Sequence, residues 1–416
     1  MKLSEELEFR GFKAETTIKD IKSLDTRENK QFYWGADPSA DSLTIGNLAA
    51  LLMCACFVKH GYKPYLLVGG ATGQIGDPKE TGERELKSLE EIEHNKRAIK
   101  SQIERVMKNY LELSCESNKS TQLANLTILD NYDWFKDIKY LDFLRTIGKA
   151  FSMTQLLDRK FIQNRIGEGG SGISYAEFSY TLIQGYDFYH LYKEYGVALQ
   201  LCGADQFGNC SSGIHLIKSL EKAEADVWST PLVIDPVSGR KFGKSEGNAV
   251  WLASEGPNST TVFDFYQFWL NQPDDSVEYL MKFYTLYSKE EIEDILSEHK
   301  KAPEHRLAQK ALAKSVTEIV HGVNKAAQAI KATEAIFGGD YNNVDDFSEI
   351  FIKTDYKDDF LACLVELGLV KSKGEARKLI EAKAISYNGE KISLDFVPKE
   401  SGLVKKGKNK IAIIKV

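Results

Sequence analysis

The sequence predicts an α/β fold: a Rossmann-like parallel-sheet domain, then an all-helical domain, then a small α+β domain. Three observations predict it. Short apolar runs alternate with helical periodicity along the first half of the chain, the pattern of a parallel sheet covered by helices. Between residues 263 and 337 no convincing strand pattern occurs, while helical periodicity continues. From Gly368 to Val416 twelve Lys and Arg stand against five acids, a net charge of +7 that leaves the rest of the chain at −13. A basic footprint confined to one small unit points to binding of a phosphate backbone, although a solvated lysine-rich surface has the same composition.

The elements follow in order. Residues 31–35 (Gln-Phe-Tyr-Trp-Gly) read as a buried strand. Residues 43–60 carry helical spacing through Leu48, Leu51, Leu52 and Phe57, ending near Gly61. Residues 64–69 are a second strand, so a βαβ unit opens the chain. A long polar-faced helix is expected over 85–112, with further strands at Thr127–Leu129 and Val197–Leu201. The helical stretch shows its apolar face at Val277, Leu280, Phe283 and Leu286, then at Leu307, Ala311, Val316 and Ile319. Gly338 to Asn343 reads as a linker. The expected division is therefore 1–235 for the sheet domain and 236–262 for a connecting loop. It continues with 263–337 for the helical domain, 338–354 for a linker and 355–416 for the basic domain.

Composition excludes several classes. With 416 residues, 43% hydrophobic and a net charge of −6, the chain can bury large cores, and broad disorder is excluded. No apolar run of ~18 residues exists and the N-terminus lacks a signal-peptide core, so no membrane association is expected. The six cysteines are sparse, which fits free thiols and a cytoplasmic setting. Cys54 and Cys56 lie in a helical stretch on nearly opposite sides, so they do not clamp a metal, and no metal site is expected.

Two segments carry chemistry. Gly35-Ala-Asp-Pro-Ser-Ala-Asp-Ser-Leu-Thr-Ile-Gly-Asn47 follows a strand and opens a helix. Capped by Asp41 or Ser42, that helix end aims N–H groups and its dipole at any bound anion, and Gly46 lets a ligand approach the backbone. Arg240-Lys-Phe-Gly-Lys-Ser-Glu-Gly247 is a glycine-rich loop with two lysines three apart. Only three residues separate Gly239 from Gly243, so it is not a Walker A cradle. Such a loop can still bring positive charge to a polyphosphate in a transition state. A third constellation is Tyr180, Gln184 and Asp187, spaced four and three residues apart and so on one helix face. Buried polar groups left unpaired cost ~1–3 kcal/mol each, and a substrate with a phenol and an ammonium would supply partners.

Together these segments resemble the bacterial-type tyrosyl-tRNA synthetases, class I aminoacyl-tRNA synthetases. Asp37 to Asn47 is similar to that family's first signature, and Lys241-Phe-Gly-Lys-Ser245 to its second. Tyr180-Thr-Leu-Ile-Gln-Gly-Tyr-Asp187 resembles the tyrosine-pocket helix, and Gly203-Ala-Asp-Gln-Phe-Gly-Asn209 a further family segment. Val68 to Pro78 and Asp130 to Trp134 fit as well, and Gly374 through Gly389 resembles an S4-type RNA-binding fold. The likeness runs in order over nearly the whole chain.

The resemblance implies a tyrosine pocket in which Asp187 and Tyr33 meet the phenol. Asp77, Tyr180, Gln184 and Gln206 hold the amino group, and Asn131 supports them. It implies ATP contacts at Gly35, Asp37, Ser39, Gly46, Asn47, Gly203, Asp205 and Lys244. Thr44, Asn47, Lys241, Lys244 and Ser245 serve the phosphates, with Lys79 and Arg84 sharing a second cation role. Lys371, Lys373, Arg377, Lys378 and Lys383 are the expected tRNA contacts. Tyrosine would be activated with ATP to tyrosyl-adenylate and then moved to the terminal ribose of tRNA(Tyr), with no tightly bound cofactor beyond the Mg2+ that accompanies ATP. Family members are homodimers. Thr44 and Asn47 stand where the family carries histidines, so activation slowed or rebalanced is one implication. Two other readings compete: a related enzyme for tryptophan, and a synthetase-like protein that binds structured RNA without catalysis.

Overall fold

A computed structural model of the chain describes all residues except 79–81, 115–125, 158–159, 168, 235–241, 243, 246–247, 340–347 and 408–409. The described residues form two compact units, one of Met1–Asn258 with Glu278–Asp294, the other of Ser259–Val277 with Ile295–Val416. Residues 278–294, read from sequence as part of a helical domain, thus group with the first unit.

The first unit is built on five parallel strands: β1 (Gln31–Ala36), β2 (Lys63–Val68), β3 (Thr127–Asp130), β4 (Leu199–Gly203) and β5 (Asp226–Thr230). Their order is β3-β2-β1-β4-β5. The chain therefore winds outward from β1 in one direction and then in the other. The crevice between the carboxyl ends of β1 and β4 is the switch point where such sheets bind ligands. The strand β5 has no clear sequence signal, because Asp, Ser and Thr interrupt its apolar residues. Its outer edge is covered by the N-terminal segment, with the Ala14 N–H donating to Ser229 O and the Ser229 N–H to Glu15 O, at 2.9 Å each.

The helix Ile45–Lys59 follows β1 and is buried from Leu48 through Val58, Cys54 and Cys56 included. The long helix Leu89–Ser114 instead buries one stripe, of which Ile92, Ile99, Ile103 and Val106 are apolar and Asn95 and Gln102 polar. Residues 278–294 belong with this unit for specific reasons. Arg10 donates to the carbonyls of Thr285 (2.6 Å) and Lys282 (3.2 Å), and the Tyr284 hydroxyl donates to Ile45 O (3.1 Å). Arg10 itself is held by Glu6, whose buried carboxylate also takes Lys59 and His60. Two cations on one carboxylate keep Glu6 ionised, holding its pKa far below the ordinary glutamate value against the cost of burial.

In the second unit the helices Val262–Leu270, Leu307–His321 and Val323–Gly338 pack together. A five-stranded sheet follows, ordered β10-β9-β11-β12-β8, from β8 (Lys353–Asp355), β9 (Ile385–Tyr387), β10 (Glu390–Lys391), β11 (Gly402–Lys406) and β12 (Lys410–Lys415). It is antiparallel except for the β12–β8 pair. Two capped helices, Phe360–Glu366 and Lys373–Glu381, pack on it through Leu364, Ala376 and Ile380. Among the described residues no helix is long and apolar enough to cross a membrane.

Candidate active site

The crevice at the carboxyl ends of β1 and β4 gathers the polar residues singled out from sequence. Asp37 leaves β1 and accepts hydrogen bonds from the Thr72 hydroxyl (2.7 Å) and the Tyr180 hydroxyl (2.8 Å). Thr72 lies in the turn after β2, which Gly69 lets approach; a Cβ at Gly69 would overlap the Thr72 and Asp37 side-chain oxygens. Asp77, further along that turn, accepts from Gln206 (2.9 Å) and Asn209 (3.1 Å), both beyond β4.

The helix Tyr175–Tyr195 supplies the far wall. Ser174 caps it, accepting from the Glu177 N–H. Tyr180 and Asp187 are buried on its inner face, at 5% and 1% exposure. The carboxylate of Asp187 accepts from Trp134 Nε1 (2.9 Å) on one oxygen and Asn131 Nδ2 (3.1 Å) on the other. Asn131 is fixed in turn by Thr72 Oγ1 (3.0 Å) and the Ala71 N–H (2.6 Å). Gln184 donates weakly to Cys210 Sγ (3.8 Å), and its buried side-chain oxygen has no hydrogen-bond partner among the described residues. Tyr33, Leu67, Phe188, Cys202 and Cys210 form the apolar wall.

The electrostatics are one-sided. Burial raises Asp37 to about 6, against the pull of its two hydroxyl donors. Burial likewise raises Asp77, and raises Asp187 well above the ordinary carboxylate range. The phenols of Tyr33 and Tyr180 are pushed well up by burial and by the neighbouring carboxylates. Among the described residues none of the three acids forms an ion pair; the Arg84 charge draws down Asp37 and Asp77. A crevice lined by three acids, Asp187 buried and Asp37 and Asp77 half-buried, with no cation paired to them among the described residues, is prepared for a cationic ligand group.

The first signature forms the mouth. Thr44 precedes the helix Ile45–Lys59, and both its N–H (3.0 Å) and its hydroxyl (2.9 Å) donate to Asn47 Oδ1. Gly46 and Ser39 are exposed there, as are Gly35 and Asp205. Gly203 ends β4. The lysine loop falls largely outside the described residues, Lys241 entirely. Lys244 and Ser245 are described as backbone only, forming a two-strand ribbon, β6 (Lys244–Ser245) with β7 (Asn248–Ala249). Lys79 is also outside the described residues. The chain leaving the ribbon is tied to the signature: the Ile45 N–H donates to Val250 O (3.1 Å) and the Leu252 N–H to Leu43 O (2.8 Å).

Some functional positions carry no sequence signal. Gln102 on the long helix is 4% exposed; its side-chain oxygen accepts from the Leu43 N–H (2.9 Å) and its nitrogen donates to Asp41 O (3.0 Å). Asn95, seven residues earlier, donates to Pro38 O (3.1 Å). Only their polar character in an apolar stripe could have marked them. Gln200 pairs with Tyr33 across the sheet, and its buried side-chain oxygen has no partner among the described residues. The five basic residues Lys371, Lys373, Arg377, Lys378 and Lys383 are all exposed on the second unit.

Comparison with known proteins gives this geometry a family. The family described as tRNA synthetases class I (W and Y) matches residues 25–338, and the S4 domain matches 358–401. The chain belongs to the class I tRNA synthetases of that family. The tyrosine--tRNA ligase of Streptococcus mutans is 38% identical over 437 residues, covering all of both chains. That of Streptococcus agalactiae is 37% identical over 433 residues, covering 100% of this chain and 99% of the relative. A C-terminally truncated Aspergillus nidulans mitochondrial tyrosyl-tRNA synthetase shares the structure at a TM-score of 0.70 and 27% identity, over 81% of this chain and 94% of that one. Within the class I family, the chain therefore belongs with the tyrosine--tRNA ligases.

Proposed function

We propose that this crevice binds L-tyrosine and ATP with its magnesium, forms tyrosyl-adenylate, and delivers the tyrosyl group to tRNA(Tyr). The observation that carries the reading is the set of three acids, the buried Asp187 with the half-buried Asp37 and Asp77, with no ion pair among the described residues, beside the unpartnered Gln184 oxygen.

The ammonium of tyrosine is the cation this set lacks. Asp37 takes the Tyr180 proton, which leaves the phenolic oxygen of Tyr180 turned as an acceptor. That oxygen, the Gln184 oxygen and Asp77, with Gln206 set by its bond to Asp77, form the ammonium seat. At the other end Asp187 accepts the substrate's phenolic proton, while Tyr33 donates to its oxygen. A site built to bond the hydroxyl rejects phenylalanine; the tyrosyl enzymes are the reference case, with discrimination of ~10⁴–10⁵.

The substrate carboxylate is already a nucleophile, so activation needs no general base. It attacks the α-phosphate in line and pyrophosphate leaves, and the protein contributes position and charge. Thr44 occupies the Asn47 oxygen, which leaves the Asn47 amide nitrogen as the donor toward phosphate. Lys241, Lys244, Ser245 and Arg84, with Lys79, neutralise the departing pyrophosphate, and Gly203, Asp205 and Gly46 receive the adenosine. Magnesium enters with ATP and needs no all-protein cage. The basic S4 surface holds tRNA, and the protein acts as a cytoplasmic homodimer.

ATP–pyrophosphate exchange with tyrosine, phenylalanine and tryptophan tested separately, without tRNA, examines this directly. Exchange driven by tyrosine alone is expected. Exchange with tryptophan instead would move the phenol assignment, and silence from a folded protein would leave only RNA binding.

A further inference from the structure

Beyond the pocket, the structure assigns a second task to the buried Arg165–Glu177 pair: together with Ser171 it is a dock that positions Arg84 for the phosphate side of the reaction. This rests on the reading of Arg84 as a phosphate cation.

Arg165 and Glu177 are 1% and 2% exposed, and Arg165 Nη2 donates to Glu177 Oε2 at 2.9 Å. A buried pair of this kind is weak evidence for stability, since desolvation offsets much of the attraction. Its second set of bonds explains it better. Arg165 Nε donates to Gly172 O (2.5 Å) and the Gly172 N–H returns a bond to Arg165 O (2.8 Å), which fixes the turn carrying Ser171. Ser171 Oγ accepts from the Gly82 N–H at 3.2 Å. The other Glu177 oxygen accepts from the Arg84 N–H at 3.1 Å.

The loop is thus gripped at two backbone points, Gly82 and Arg84, by one rigid platform. The side chain of Arg84 then lies back along the turn that carries Asp77. Its stem crosses Gly76, whose φ of +79° and missing Cβ make the room, and its Nε donates to the Asp77 carbonyl. Among the described residues its guanidinium forms no ion pair, and its charge acts on Asp37 and Asp77. The platform therefore holds a cation that has no ion pair among the described residues beside the ammonium seat, on the side proposed for the departing pyrophosphate. Neither Glu177 nor Arg165 needs to touch substrate; both are positioning residues.

The test is a double-mutant cycle read by single-turnover formation of tyrosyl-adenylate, with tyrosine binding measured separately at equilibrium. Arg84→Ala and Glu177→Ala are each expected to slow adenylate formation about tenfold or more, with tyrosine affinity changed less than about twofold. The double variant is expected to be no slower than Arg84→Ala alone, because the two act through one group. Glu177→Gln keeps an acceptor for the Arg84 N–H and is expected to recover most of the rate. Ser171→Ala, at an exposed position that does not threaten the fold, is expected to cost about two- to threefold, and nothing in the Arg84→Ala background. Additive losses in either cycle would overturn the positioning role. A normal rate in Arg84→Ala would overturn instead the phosphate reading beneath it. If Glu177→Ala does not fold, the Ser171 cycle decides alone.

Discussion

At the scale of single residues, the acids of the crevice set the behaviour of the free protein. Asp37, with its pKa raised to about 6, binds its proton more tightly in the folded state than in the unfolded chain. Its contribution to stability therefore grows as pH falls from about 6 toward the ordinary carboxylate value, and above that window its ionisation costs stability. Asp37→Asn is expected to stabilise the free protein at pH 7 by ~1–3 kcal/mol, less at pH 5, while lowering activity. Thermal melts at the two pH values check the sign. Tyrosine binding should run the opposite way. An ammonium needs the ionised acids, so its affinity is expected to fall as pH drops below about 6, by up to tenfold per unit for one proton; an affinity flat from pH 7 to 5 contradicts the ammonium seat. Asp187→Asn keeps the side-chain shape but replaces a carboxylate oxygen, an acceptor bonded by Trp134 and Asn131, with an amide nitrogen. It is expected to lower kcat/KM for tyrosine by about 10–10² in exchange assays without loss of folding, the scale of the ~1–3 kcal/mol that an unmet buried hydrogen-bond partner costs. Most of this pocket was legible in the sequence, because Tyr180, Gln184 and Asp187 place polar groups at helical spacing among apolar neighbours. The Asp37–Tyr180 bond was not, since no local pattern joins residues so far apart in sequence.

At the scale of elements, the signature loop is shaped by a helix that contributes nothing to the chemistry. Asn95 and Gln102 of Leu89–Ser114 hold the carbonyls of Pro38 and Asp41 and the N–H of Leu43. Arg105, on the same helix, donates to Leu252 O at 3.1 Å and so reaches the chain returning from the lysine ribbon. One helix therefore sets both segments proposed to face the phosphates. Gln102→Leu leaves the Leu43 N–H and Asp41 carbonyl without partners and is expected to cost ~1–3 kcal/mol of stability. It is also expected to raise KM for ATP several-fold while KM for tyrosine stays near normal; equal rises in both would show a general loosening of the fold. The helix itself was expected from its periodicity, and β1 to β4 from their apolar runs. The strand β5 was missed because its polar residues bond the N-terminal segment rather than face solvent, a tertiary fact with no local trace. The grouping of residues 278–294 with the first unit was likewise invisible, since it depends on Arg10 and Tyr284 meeting distant carbonyls.

At the scale of the whole molecule, the residues proposed for adenylate formation all lie in the first compact unit, and the exposed basic residues proposed for tRNA lie in the second. The positive charge is concentrated within the second unit, +7 from Gly368 to Val416, against −13 over the rest of the chain. A catalytic unit of net negative charge repels a polyanion at long range, so a separate basic surface must supply the attraction. Lys and Arg that neutralise phosphates release counterions, and binding weakens with salt at a slope set by how many phosphates are neutralised. Removal of residues 355–416 is therefore expected to leave the rate of tyrosine-dependent pyrophosphate exchange within about twofold. The same truncation should lower charging of tRNA(Tyr) and flatten its salt dependence. Replacing Lys371, Arg377 and Lys383 together should reproduce part of that flattening in the intact chain, by roughly one unit of log–log slope for each phosphate left without its cation. The triple variant separates charge from fold, because all three side chains are exposed and none forms an ion pair among the described residues. Charging with an unchanged salt slope in that variant would mean that tRNA is held elsewhere, and that the basic segment is a solvated surface.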